Sequence, residues 1–271
     1  MGLEMNVFTA TVMMTFRWIV RDRVLHAILA VALFMILLVP ALSTFSMRQV
    51  QELSITLSLS TISFVLLMVT LLLGASSVWR EIERRYVSSV LTLPASRAVF
   101  LLGRFCGIAG FIALCGVLLG LAAAVIIIIS STQYPSEVPI HWQKIALALL
   151  ADILKYILLA SVAIFFSALS TSFYFPFFST IAIYLAGSGS QEVYEYATGQ
   201  FGKEFNQLSV VILKIVYYVI PNFAAFDLKV QAIYGIPSLP SGLFLTFIYS
   251  FIYSAILLTG AAIIFTRRQF P

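Results

Sequence analysis

The stretch FLLGRFCGIAGFIALCGVLLGLAAAVIIIIS, residues 100–130, decides the fold class. It holds a single charge, Arg104, in an otherwise apolar or small-residue run. A helix rises about 1.5 Å per residue and needs about 20 apolar residues to cross roughly 30 Å of hydrocarbon. The run is continuously apolar rather than alternating, which fits a membrane helix and not a barrel strand. Working outward, similar runs cover about Val24–Met47, Ile55–Trp79, Ile145–Leu169, Phe173–Ser188 and Leu243–Thr266. With 100–130 they make six expected spans in an all-α polytopic membrane protein.

Composition supports this. Of 271 residues, 61% are hydrophobic and only 10% are charged. A soluble domain carries roughly 25% charged residues, so this chain could not wet its own surface as a soluble globule. Disordered, coiled-coil and disulfide-scaffold classes are excluded on the same numbers. The net charge of +5 gives no reason to invoke nucleic acid once the charges are placed along the chain. Cys106 and Cys115 lie nine residues apart in one run, on opposite helix faces and about 13 Å apart, so they read as apolar filler. Residues 1–23 carry Glu4, Arg17, Arg21, Asp22 and Arg23 with no small-residue cleavage site after them, unlike a signal peptide.

Charge asymmetry sets the expected orientation. With six spans, Arg17, Arg21, Arg23, Arg80, Arg84, Arg85, Arg97, Arg104, Arg267 and Arg268 fall on one side. The other side receives Arg48, Lys144, Lys203, Lys214 and Lys229 among Glu52, Glu137, Glu192, Glu195, Glu204 and Asp227. The positive-inside rule makes the arginine side cytoplasmic, with both termini there. Leu208–Ile220 is apolar but holds Lys214 and stops at Pro221. Its length of about 20 Å is too short to span, so it reads as a re-entrant or interfacial helix between spans five and six. The layout is an interfacial helix over 1–23, spans one to five over 24–188, an external cap over 189–241, and span six with its tail over 242–271. The cap is dotted with Tyr194, Tyr196, Phe201, Phe205, Tyr217 and Tyr218. It reads as a surface for departing substrate or a periplasmic partner, or as a lid without specificity.

Two amphipathic stretches flank the spans. Met5, Phe8, Val12, Phe16, Ile19 and Val20 recur at three- and four-residue steps, as in a helix lying along the cytoplasmic interface. In the loop from Trp79 to Arg97, Ile82, Tyr86, Val90 and Leu93 fall on one helical face. Charges crowd its first turn and a half, and Pro94 ends it. That is a short charged helix parallel to the membrane, either a docking element or a solvated connector.

Catalytic signals are absent. No GxxxxGK[ST] occurs, and Gly202-Lys203 is followed by Glu204, so no phosphate cradle is expected. His26 and His141 have no ligand-spaced partners, and the methionines are scattered, so no metal is expected. Thr56, Ser60, Ser63 and Thr70 share a face of the second span, as helix–helix glue or as a translocation path. Gly103/Gly107 and Gly116/Gly120 read as close-packing pairs in the third span. Asp152 and Lys155, three apart in the fourth span, either pair within a polar cavity or snorkel to the outer interface from a helix that starts later.

The loop resembles a known family. Glu81 and Glu83, then Leu91, Leu93-Pro94-Ala95-Ser96-Arg97 and Leu102-Gly103-Arg104 resemble the acidic, Leu-Pro-x-Ser-Arg and Leu-Gly-Lys signature of ABC-2-type transporter permeases. The subgroup most similar includes permeases of copper-enzyme maturation clusters. Phe265-Thr266-Arg267-Arg268 and Pro221-Asn222-Phe223 resemble that family's closing and pre-closing patterns. Ser88-Ser89 stand where Gly-Thr is common, and Arg104 where Lys is usual. The resemblance implies a bacterial inner-membrane permease, an exporter, with an N-terminal elbow helix and six spans. It implies pairing with a second copy and docking of a separate ATPase subunit that holds ATP and Mg. The docking helix would be formed by Glu81, Ile82, Glu83, Arg84, Arg85, Tyr86, Leu93, Pro94 and Arg97. The residues leave two other classes open: a membrane anchor or assembly factor, and an ion-coupled carrier. A carrier predicts inverted repeats and broken helices; no repeat is visible, and Pro40 and Pro176 are the candidate breaks.

Overall fold

The computed structural model describes residues 2–46, 49–83, 97–133, 139–199, 207–237 and 240–267, and the regular elements among them are all helical. In chain order these are α1 (Gly2–Val20), α2 (Arg23–Ser43), α3 (Val50–Glu83), α4 (Arg97–Gln133), α5 (Trp142–Leu169), α6 (Tyr174–Thr198), α7 (Gln207–Val219), a 3-10 turn (Ala224–Phe226), α8 (Lys229–Tyr234) and α9 (Pro240–Arg267). Five of them, α2, α3, α4, α5 and α9, are long and apolar enough to cross a membrane. The chain has the make-up of a multi-pass membrane protein.

Helix α5 lies at the centre and is the most enclosed of the five. It packs against α3, α4, α6, α8 and α9. Glycines set how close these helices come. Gly116 of α4 faces Ile153, where an added Cβ would sit 2.6 Å from its Cγ1. One turn on, Gly120 meets Leu149 in the same way, so α4 and α5 run antiparallel. Gly74 of α3 abuts Ala163 of α5. With lipid as apolar as leucine, such small-residue contacts supply van der Waals packing that the hydrophobic effect cannot.

The second small-residue pair of α4 receives α1. Cβ atoms at Gly103 and Gly107 would lie 3.0 Å from Thr11 and 2.8 Å from Thr15. Both positions advance together, so α1 and α4 run in the same direction across this contact. Thr11, Thr15 and Ile19 are buried there, with Phe16 edge-on to Phe111 at 5.9 Å. Met5 and Val20, expected on the membrane-facing apolar stripe, are 60% and 44% exposed. Thr11 and Thr15 make the closest approach to α4, because two short β-branched side chains fit a glycine groove better than long ones do.

The fourth span begins at Trp142, earlier than expected. The second continues to Glu83 instead of stopping near Trp79. No glycine or proline interrupts Ala75–Glu83, and Arg and Glu are good helix formers, so the chain keeps its helix past the apolar run. Helices also run through Pro40 and Pro176.

The fifth expected span departs most. Tyr174–Thr198 is one helix, yet it is not among those apolar enough to cross a membrane by composition. Its second half reads Gly187-Ser-Gly-Ser-Gln191. That half is sheathed by the next part of the chain: Tyr194 stacks on Tyr217 of α7 at 4.3 Å, and Gly187 abuts Pro221 and Phe223. Helix α7 turns Val211, Ile212, Ile215 and Val219 outward, each more than 50% exposed. It thereby supplies the apolar surface that α6 lacks.

Segments Val210–Val219 and Ala224–Tyr234 meet at a bend of 52°. The turn between them carries Phe223 and Phe226, each 1% exposed, into the core beside Tyr184 and Tyr249. The segment then emerges at Gly235, which lies against His141 at the start of α5 and accepts a hydrogen bond from Lys144 Nζ. Gly235 has φ 66°, a left-handed conformation that favours glycine. Helices α5 and α6 are antiparallel neighbours, so the end of α6 and the start of α5 share one end of the bundle. The segment dips in and returns to the end it left.

Candidate functional site

The charged residues expected in the fourth span sit deep. Asp152 and Lys155 are 3% and 4% exposed, about 15 and 20 Å along α5 from Trp142. The snorkelling alternative is overturned: the helix starts earlier than it requires, and both side chains point inward. Lys155 Nζ donates to Asp152 Oδ1 at 2.5 Å. The other carboxylate oxygen, Oδ2, accepts from Ser63 Oγ of α3. Lys155 Nζ also lies 4.8 Å from the ring centre of Tyr156, which is 0% exposed. The Tyr156 ring faces Tyr184 of α6 at 6.3 Å, and Tyr184 in turn faces Phe223 at 5.7 Å. One contiguous chain of contacts therefore links α3, α5, α6 and the dipping turn.

Burying two charges is costly, and their mutual attraction repays that only when the remaining bonds are made. Here each carboxylate oxygen has a donor and the ammonium has both a carboxylate and a π face. The arrangement binds α3 to α5 from within the bundle.

The four hydroxyls expected to line a path with this pair do not stay together. Ser63 bonds Asp152. Thr56 Oγ1 donates back to Glu52 O at 2.7 Å. Ser60 is exposed. Thr70 is fully buried, with no partner for its hydroxyl among the described residues. Nothing in the sequence singles out Tyr156 and Tyr184, although Tyr156 is four residues from Asp152 and comes directly after Lys155.

Of the docking residues, Glu81, Ile82 and Glu83 form the last turn of α3. Arg84, Arg85, Tyr86, Leu93 and Pro94 lie outside the described residues. Arg97 opens α4 and reaches the far end of the chain: its Nη1 donates to Phe265 O at 3.5 Å and Thr266 O at 3.4 Å. These are long hydrogen bonds, so much of the attraction is that of a cation for the carbonyl end of a helix. Two separated stretches that carried the family resemblance thus meet in space. Asn222 of the third stretch caps the 3-10 turn, its Oδ1 accepting from Ala224 N at 3.0 Å and Ala225 N at 3.3 Å. Its Nδ2 donates to Gln191 Oε1 of α6 at 3.2 Å, and its backbone N to Tyr249 Oη of α9 at 3.0 Å.

Among the described residues no group of three or more His, Cys, Asp or Glu could hold a metal ion. Compared with models of known protein families and with curated proteins, the chain matches none.

Proposed function

We propose that the chain is the membrane-spanning permease subunit of an ABC-2-type ATP-binding cassette transporter, working as an exporter in the bacterial cytoplasmic membrane. The observation that carries this reading is the meeting of Arg97 with the Phe265–Thr266 carbonyls, beside the α1–α4 contact. It gathers the resembling stretches at the arginine-rich end of the bundle. Two copies would pair. ATP and Mg would be held by a separate ATPase subunit docked on Glu81–Leu93, since this sequence has no phosphate-cradling motif. Helix α3, continuous over 34 residues and about 50 Å long, would carry the motion of that segment inward. The Ser63–Asp152 bond would pass it to α5.

The test is co-expression with an ATPase of this class from the neighbouring gene. The wild-type chain should co-purify with it, and a Glu83→Ala, Arg84→Ala, Arg85→Ala variant should lose the partner or its coupling while remaining folded. A triple variant that keeps a fully active, transport-competent complex would sink the docking assignment.

An ion-coupled carrier is the second reading. The buried Asp152–Lys155 pair and the bent segment over 210–234 favour it, since such carriers use ionisable groups and discontinuous helices at depth. ATP-dependent transport that survives collapse of the ion gradients would exclude it.

A further inference from the structure

We propose that the outward face of α1 is a binding site for a phospholipid with an anionic headgroup. The inference rests on the membrane character of the chain and not on its being a transporter. With Thr11, Thr15 and Ile19 committed to α4, α1 turns two parallel rows of side chains away from the bundle. One is Ala10, Met14 and Trp18; the other is Met13, Arg17 and Arg21, all at four-residue steps. Together they line a cleft of about 460 Å³. Its first part is apolar, with Met13 and Met14 56% and 69% exposed. Its second part carries two exposed guanidinium groups one turn apart.

Three further features fix the chemistry of the occupant. The Trp18 ring is held from behind by Arg104, whose guanidinium carbon lies 5.8 Å from the ring centre. A tryptophan so held is a wall of fixed position, of the kind that settles at headgroup depth. Arg17 and Arg21 adjoin the start of α2, the first helix apolar enough to span, which puts them where a membrane surface begins. Arg23 adds a third exposed cation beside them, so the three guanidinium groups outnumber the one neighbouring acid, Asp22, which N-caps α2 by accepting from Val24 N at 2.9 Å. Paired guanidinium groups match a phosphate oxygen pair in geometry and charge. Thioether and indole surfaces match the glycerol and ester region beside it. A zwitterionic lipid meets the apolar part equally well but gains less from the net positive charge.

The experiment uses the full-length protein purified in a mild detergent and exchanged into mixed micelles or vesicles of phosphatidylglycerol and phosphatidylcholine. Lipid retained per chain is read by native mass spectrometry, with thermal stability measured in parallel. The wild type should retain phosphatidylglycerol over phosphatidylcholine and be stabilised by it. At about 1 kcal/mol per basic residue near an anionic surface, Arg17→Gln with Arg21→Gln should weaken that retention about 25-fold. Arg267→Gln, a cation removed from a different helix, should leave it within about twofold of wild type. Equal retention of the two lipids by the wild type overturns the proposal, as does unchanged retention by the double variant. An equal loss in Arg267→Gln also overturns it, because diffuse charge would then suffice. If the double variant does not fold, Arg21→Gln alone carries the test, with an expected weakening of about fivefold.

Discussion

Asp152 and Lys155 show how burial changes the meaning of a residue pair. Exposed pairs are worth about 0–1 kcal/mol, whereas breaking a buried one costs about 3–5 kcal/mol because a charge is left uncompensated. Asp152→Asn and Lys155→Met should each lower stability in detergent by an amount in the upper range, and the double variant should recover part of the loss. The measurement is a thermal or denaturant double-mutant cycle; additive, near-silent effects would show that the pair holds nothing together. Ser63→Ala removes the donor to one carboxylate oxygen and should cost about 1–3 kcal/mol. The spacing of 152 and 155 was legible as a shared helix face. Their burial was not, because it depends on α3, 89 residues away along the chain from Asp152 to Ser63, and sequence periodicity says nothing about which helix comes to cover a face.

At the scale of the element, the small-residue pairs were legible as packing sites, but their partners were not. Gly107 accepts Thr15, and an added methyl would lie 2.8 Å from its Cβ, closer than side chains tolerate. Gly107→Ala should therefore loosen α1 from α4 and cost about 1–3 kcal/mol, as overpacking does. Thr15→Gly in the same chain should restore part of that, a rescue visible in thermal melts and absent if α1 merely rests at the interface. Helix α6 makes the complementary point. Its polar second half looked like the start of an external cap, because a sequence reading assumes that each span must be apolar by itself. The structure instead covers that half with α7, so the covering segment supplies the apolar surface. If the segment over 207–237 dips and returns, single cysteines at Tyr196 and Tyr234, both more than half exposed, should react with an impermeant thiol reagent from the same side. The background would lack Cys106 and Cys115. Reaction from opposite sides would mean that the segment crosses.

For the molecule as a whole, the question is the parity of crossings. Apolar length alone gives five spans, or six if the bent pair counts as one, and these two counts put the chain ends on opposite sides or on the same side. Contacts between distant parts of the chain favour the even count. Thr11 lies against Gly103, six residues into α4, so α1 sits near the start of that helix. Arg97, the first residue of α4, bonds the carbonyls of Phe265 and Thr266, so the end of α9 is there as well. Both ends of the described chain therefore gather at one end of the bundle, as an even number of crossings would have them do. That number is met when α6 crosses beneath its sheath. The arginines 17, 21, 23, 97, 104 and 267 share this end, and under the permease reading proposed above their excess would put it in the cytoplasm. A green fluorescent reporter, which matures in the cytoplasm, should thus fluoresce when fused at residue 271 and equally when fused before residue 1. Alkaline phosphatase fused at either position should stay inactive. Fluorescence at one end with phosphatase activity at the other would mean an odd count. Either the Arg97 contact with α9 or the Thr11 contact with Gly103 would then have to be abandoned, since an odd count cannot satisfy both.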